Sequence, residues 1–283
     1  MIVSGYTEMK PFLPAINMKG APTVFNDALD VAQCALVEDI IGTDLETLLE
    51  ARNNEDSRLL KMCQRVIAVE AFLKSIPEMD LVLTDSGFGV ISNQDVAPAS
   101  KERVANLTAG LQAKLDEAKD RLVTYLLASD RYSDDWRGTE QFARLSDGLI
   151  LTFAEFKDVA VYNPRTAAAY PHTWEEFLRL NAALNVALTS DAASYISLEY
   201  AEELLEKIRD GETIIPNEKK LLQSLKIGIA AIALGDRETG IREIIKACAF
   251  MKTNEDDFPT YNNSTAAQDL TLEHSDTPIF SMF

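Results

Sequence analysis

Apolar residues recur at three- and four-residue spacing along most of the 283-residue chain, the repeat that lines one face of an α-helix. Leu29, Ala32, Leu36 and Ile40 predict a helix capped by Asn26 and stopped after Ile41 by Gly42. Thr43 and Glu46 have the spacing of a capping box for a short helix carrying Leu45, Leu48 and Leu49. Leu59 to Leu73 bears two stripes, Leu59, Met62, Val66, Val69 and Leu73 beside Leu60, Cys63, Ile67 and Ala71, which predicts a central helix ending before Pro77. Leu81 to Thr84 and Phe88 to Ser92 alternate around Asp85, Ser86 and Gly87, the composition of a small β-hairpin over about 81–92. Ser100 can cap a long helix to Ala128, with Val104, Leu107, Leu111, Leu115, Ala118, Leu122 and Tyr125 on one face and charge on the other. Trp136, Phe142, Leu145, Leu149, Phe153 and Phe156 form a further helical segment that stops before Asn163-Pro164.

The second half continues in the same way. Thr173 and Glu176 open a helix through Trp174, Phe177, Leu180, Leu184 and Leu188, and Ser197 caps one through Leu198, Ala201, Leu204, Leu205 and Ile208 that Gly211 ends. Glu218 to Leu234 and Ile241 to Met251 are the last helices, and periodicity fades after Thr253. Both ends carry helix breakers together with large apolar groups: Phe12 and Leu13 near the start, and Ile279, Phe280, Met282 and Phe283 at the finish. Such residues have no use in a solvated tail, so they are the candidate interaction residues.

An internal repeat underlies this order. Leu48-Leu49-Glu50, Leu59-Leu60 and Ile67, Ala68, Ala71, Phe72 recur as Leu204-Leu205-Glu206, Leu221-Leu222 and Ile229, Ala230, Ala233, Leu234. The competing reading is that Leu, Ile and Ala recur in any packed helix. The expected fold is therefore mainly α, with two related helical-bundle halves, one small β-hairpin and extended terminal arms. The expected domains are an N-terminal arm over 1–23, a helical domain with the hairpin over 24–163, a second helical domain over 164–253 and a C-terminal arm over 254–283.

Charge narrows the function. A net charge of −18, from 45 acidic against 27 basic residues, opposes tight nucleic-acid binding, which needs clustered Lys and Arg. The same charge could line a channel that passes DNA without holding it. The three cysteines, Cys34, Cys63 and Cys248, lie far apart within apolar helical patterns and are expected to be reduced core residues. Met1 to Phe12 lacks the basic-then-apolar order of a secretory signal, and the longest uncharged run, Ile227 to Gly235, is far below the ~18 residues of a membrane span, so a cytoplasmic origin is expected.

Candidate chemistry is sparse. His172 and His274 are the only histidines, too few for a zinc site without converging cysteines or carboxylates, and His172 is expected at the surface of a helix entrance. Gly87-Phe88-Gly89 lacks the third glycine and the Lys-Ser or Lys-Thr of a phosphate loop, and Ser86 lacks a nucleophile elbow. Glu255-Asp256-Asp257 lacks the alternation of a calcium loop. Trp136 and Trp174 are expected as buried anchors. No catalytic, cofactor-binding or metal residue is assigned, no cofactor is expected, and a non-enzymatic role follows.

Ile41-Gly42, the Leu-rich helix Leu59 to Leu73, Ile76-Pro77, Leu81-Val82-Leu83-Thr84-Asp85-Ser86-Gly87 and Pro98-Ala99-Ser100-Lys101 occur in an order that resembles an uncharacterised family of phages and prophages of gut Bacteroidales. Phe153-Ala154-Glu155-Phe156, Asp257 to Tyr261 and Pro278-Ile279-Phe280 look like further landmarks of it. The first half also resembles phage head–tail connector (adaptor) proteins, which pair a helix bundle with a small hairpin or loop. That resemblance implies a structural protein of virion assembly, formed in the bacterial cytoplasm and ending in the virion. Its partners would be neighbouring subunits in a ring and a portal or tail protein, with no membrane. The duplicated second half departs from a minimal connector. The alternative is a helical-repeat scaffold that binds a cellular protein partner.

Overall fold

The computed structural model describes residues 1–13, 24–51, 57–79, 81–84, 87–90, 100–160 and 166–268. The fold is mainly α-helical. The chain divides into two compact units, Met1–Gln141 and Phe142–Phe283.

In the first unit, α1 (Tyr6–Met9) and a 3-10 turn (Lys10–Phe12) precede α2 (Val24–Leu36), which runs on through a π-helical turn (Val37–Ile41) into α3 (Gly42–Glu50). The longer helices α4 (Ser57–Met79) and α5 (Lys101–Ala128) follow, then α6 (Ser133–Arg137). Between α4 and α5 in sequence, β1 (Leu81–Thr84) pairs antiparallel with β2 (Gly87–Val90), with Leu81 opposite Val90 and Thr84 opposite Gly87. Helix α4 is central, packed by α2 on one side and α5 on the other. The reason lies in its double stripe: Leu59, Cys63, Val66, Ile67, Ala68 and Ala71 are fully buried.

Several local expectations give way here. Asn26 lies inside α2 rather than capping it, and Pro77 lies inside the last turn of α4 rather than beyond the helix, where few backbone bonds remain downstream for it to disturb. The Thr43–Glu46 capping box does not form, because Gly42 turns the chain at φ 77 and the Glu46 carboxylate instead accepts from Gln33 Nε2 at 3.0 Å. Ser100 does cap α5, accepting from the Arg103 N–H at 3.4 Å. Its first turns are exposed, Leu107 among them at 40%, whereas Asp116, Lys119 and Asp120 are buried on the face expected in solvent. Lys119 Nζ meets Glu70 of α4 at 3.1 Å, a buried ion pair that Lys74 extends at 2.7 Å.

The second unit repeats this order. The segment expected as one helix through Phe156 is broken into α6, α7 (Glu140–Leu145) and α8 (Phe153–Val159). Helix α9 (Trp174–Val186) also runs into a π-helical turn (Ala187–Ala192), then α10 (Ala193–Ile196), α11 (Leu198–Asp210), α12 (Pro216–Ala233), α13 (Arg237–Thr253) and the short α14 (Pro259–Asn262). Helix α12 is central here, between α13 and the α9 stretch with its π turn. Part of the buried register matches that of α4, in Leu59 and Leu221, Cys63 and Leu225, Ile67 and Ile229, Ala68 and Ala230, and Phe72 and Leu234, but Val69 and Ala71 are buried where Ala231 and Ala233 are half-buried. The turn into the next helix is alike too, with Gly42 at φ 77, ψ 169 and Ser197 at φ 71, ψ 148. Ser197 accepts strain unusual for a residue with a Cβ, and its hydroxyl caps α11 by accepting from the Tyr200 N–H at 3.2 Å.

The expected boundary at Asn163-Pro164 lies outside the described residues. The division falls earlier, inside α7, because α8 belongs to the second core. Phe153 and Phe156 pack against Phe177 with ring centroids 5.9 and 5.6 Å apart, and Lys226 of α12 pairs with Glu155.

Candidate functional site

The N-terminal segment is no free arm. Ile2, Val3 and Met9 are fully buried in the first unit. The Ile2 N–H donates to Gln33 Oε1 at 2.9 Å, its carbonyl accepts from Gln64 Nε2 at 3.2 Å, and the terminal ammonium pairs with Glu50. Tyr6 stacks on Phe25 at 6.0 Å between centroids. The segment thereby carries Phe12 and Leu13, both half-buried, to the side of α4.

Phe12 there borders an open groove of about 790 Å³ between α4 and α5. Arg58, Lys61 and Arg65 recur along α4 at helical spacing and all line it, as does Arg121 of α5. Met62 and Tyr125 provide apolar surface between these cations. The Arg58 guanidinium lies over the Tyr125 ring at 4.7 Å, and that of Arg65 over the Phe12 ring at 5.8 Å, contacts that hold long side chains in place. A smaller hollow of about 290 Å³ shares Phe12, Arg65 and Arg121 and adds Lys114. Among the described residues, Arg121 is the one of these cations with an ion-pair partner, Glu117 at 2.5 Å. In a chain of net charge −18, this is a concentrated basic strip with aromatic edges.

The C-terminal interaction residues, Ile279, Phe280, Met282 and Phe283, lie outside the described residues. The earlier part of the expected C-terminal arm is core. Phe258 and Tyr261 are fully buried, Phe258 meeting Tyr200 edge-on at 6.2 Å and Phe250 at 6.0 Å. Glu255, Asp256 and Asp257 form a 3-10 turn, in which Asp257 accepts from Asn217 Nδ2 at 2.5 Å.

The remaining chemistry is structural. His172 is exposed before α9, its N–H donating to Glu176 Oε2 at 2.7 Å while Thr173 caps the helix. Trp136 and Trp174 are buried, Trp136 donating from Nε1 to the Ile40 carbonyl at 2.6 Å. Cys63 and Cys248 are buried, and burial pushes the Cys248 thiol up to about 11. Cys34, expected in the core, is exposed, because the buried stripe of α2 passes through Leu29, Ala32, Gln33 and Leu36 on the other side. In the second unit Lys207 bridges Glu203 at 2.7 Å and the buried Glu218 at 2.6 Å. Burial raises the Glu203 carboxyl, but hydrogen bonds from Lys207 and Thr260 outweigh it and hold it below the ordinary range. Burial likewise lowers the Lys207 ammonium, and its bonds to Glu203 and Glu218 reverse the sign.

A mainly helical protein with a basic groove on its first unit is what fold and site define. Residues 28–145 match a family of unknown function (DUF6712), a stretch containing both walls of the groove but not Phe12. No curated protein and no solved structure matches the chain. Among the described residues, no helix is long and apolar enough to cross a membrane.

Proposed function

We propose that the chain is a non-enzymatic structural protein of a phage or prophage particle, joining head to tail in the manner of a connector. The observation that carries this reading is the make-up of the first unit: a helical bundle whose two longest helices are linked in sequence by a small hairpin. The resemblance of that half to head–tail connector proteins supplies the analogy, and the net charge of −18 fits it. Acidic subunits around a channel would repel phosphates, so a genome could pass without sticking. Neighbouring subunits and a portal or tail protein are the partners, met in the bacterial cytoplasm and kept in the virion.

Deletion of the gene from an inducible host tests the reading. Filled heads and unattached tails, rejoined when the gene is supplied in trans, are expected; an undiminished yield of infectious particles would overturn it. The repeated order of elements favours a second reading, a helical-repeat scaffold for a cellular protein. Under that reading the chain is recovered with a host protein and is missing from particles.

A further inference from the structure

The groove between α4 and α5 combines two chemistries. Arg58, Lys61, Arg65 and Arg121 supply positive charge, all four on exposed side chains, while Phe12, Met62 and Tyr125 offer apolar and aromatic surface. A single-stranded nucleic acid would use the cations through its phosphates and the aromatic edges through its bases, but it brings one negative charge per residue against a chain of net charge −18, whereas residues 269–283 carry three acidic side chains in fifteen residues. An acidic peptide with large apolar side chains uses both.

This chain carries such a peptide. From Thr253 to Phe283 there is no Lys or Arg, and residues 269–283 hold Asp269, Glu273 and Asp276 beside Leu270, Leu272, Ile279, Phe280, Met282 and Phe283. Fully extended, residues 269–283 span about 50 Å. The whole of α4, at 23 residues, is about 35 Å long. The segment is therefore long enough to run the length of the groove.

We propose that the groove is the docking site for the C-terminal segment, residues 269–283, of a neighbouring copy of this chain. The carboxylates lie along Arg58, Lys61, Arg65 and Arg121, and the terminal aromatic residues pack against Phe12 and Tyr125. Because each copy has one groove and one segment, the contact is heterologous and propagates until it closes into a ring or continues as a filament. The inference rests on the assembly reading for its choice of a neighbouring copy.

The test uses the full-length protein and a synthetic peptide of residues 269–283 with a fluorescent label at its amino end. Saturable binding is expected, weakened at least tenfold by Arg58→Glu with Arg65→Glu, and weakened as salt rises. Lys61→Glu with Arg121→Glu, made separately, should act alike, so that one misfolded variant does not decide the outcome; the melting curve of each shows which is folded. At protein concentrations low enough for light scattering to show a monomer, where no neighbour's segment fills the groove, absence of saturable binding overturns the proposal, since a groove filled by its own chain's segment would face the peptide with a local competitor on the order of millimolar. Equal binding by a scrambled peptide, equal binding by both folded variants, or tighter binding of an oligothymidine to the groove would each overturn it too. A chain that fails this test yet is found in purified particles loses the docking inference alone. A chain that passes it and is missing from particles loses the virion reading alone.

Discussion

Cys34, Cys63 and Cys248 sit in similar apolar patterns yet differ in exposure, because a helix turns each residue by a fixed angle and only one face meets the core. Cys34 is exposed while the other two are buried. Under native conditions a thiol reagent should therefore modify Cys34 promptly and leave Cys63 and Cys248 protected until the chain unfolds; rapid labelling of all three would contradict the assigned faces. The same rule makes Leu59 and Leu221 the sharpest probes of the core, at 0% and 1% exposure, in preference to the half-buried Leu60. Leu59→Asp and Leu221→Asp each bury an unpaired carboxylate, at a cost of several kcal/mol against a domain stability of about 5–15 kcal/mol. Each should unfold the unit that holds it, and a melting curve like that of the wild type would show the stripe to be misplaced. These stripes were legible from spacing alone. The Thr43–Glu46 capping box misled because a cap depends on backbone direction, and Gly42 had already turned the chain there. The buried Glu70–Lys119 pair was illegible for a related reason: charge spacing along one helix does not reveal an opposite charge on another.

At the scale of elements, close approach of α12 and α13 depends on Gly228 and Gly240. A Cβ at Gly240 would lie 2.7 Å from the Gly228 carbonyl oxygen, and one at Gly228 would lie 2.9 Å from Ile244 Cγ1. Gly240→Ala gains up to about 1 kcal/mol of helix propensity and meets about 1–3 kcal/mol of overpacking against backbone. A net loss in denaturant midpoint is the expected outcome, and a gain would mean that the helices separate freely. The N-terminal segment makes a second test. Ile2, Val3 and Met9 are each fully buried, worth about 1.5–3 kcal/mol apiece before ordering costs, so removal of residues 1–12 should markedly lower the melting temperature. Phe12 and Leu13 pointed to docking of this end, but the burial of Ile2, Val3 and Met9 escaped the sequence pattern, because short turns punctuated by Gly5 and Pro11 have no period to detect. The Glu203–Lys207–Glu218 bridge adds a pH dependence with a defined sign. Glu203 is lowered by folding, so its contribution is present above the unfolded carboxyl value of about 4.3 and is lost as pH falls through the folded value. Lys207 is raised, so its contribution is complete below about 10.4 and is lost as pH rises through the folded value. Lys207→Met should flatten both limbs of a plot of melting temperature against pH; unchanged limbs would remove the bridge from the account.

On the whole molecule, a net charge of −18 sets two salt effects of opposite sign. Screening of self-repulsion should raise the melting temperature between about 10 and 150 mM salt, where the Debye length falls from about 30 to 8 Å. The same screening should weaken capture of the acidic segment by the basic groove, so a shared sign would mean that one of the two is not electrostatic. The groove left a trace in the sequence, Arg58, Lys61 and Arg65 at helical spacing. Nothing in that trace says that Arg121 and Tyr125 face them or that Phe12 is carried to their edge, since both come from packing. The boundary between units was misread because Asn163-Pro164 is a breaker, whereas a unit is defined by which core receives the aromatic residues of α8. Whether this molecule takes a place in a virion is read by quantitative mass spectrometry of gradient-purified, induced particles. A virion protein stays in a fixed ratio to the portal protein through successive gradients; loss of the chain from the particles while it stays abundant in the lysate would contradict that place.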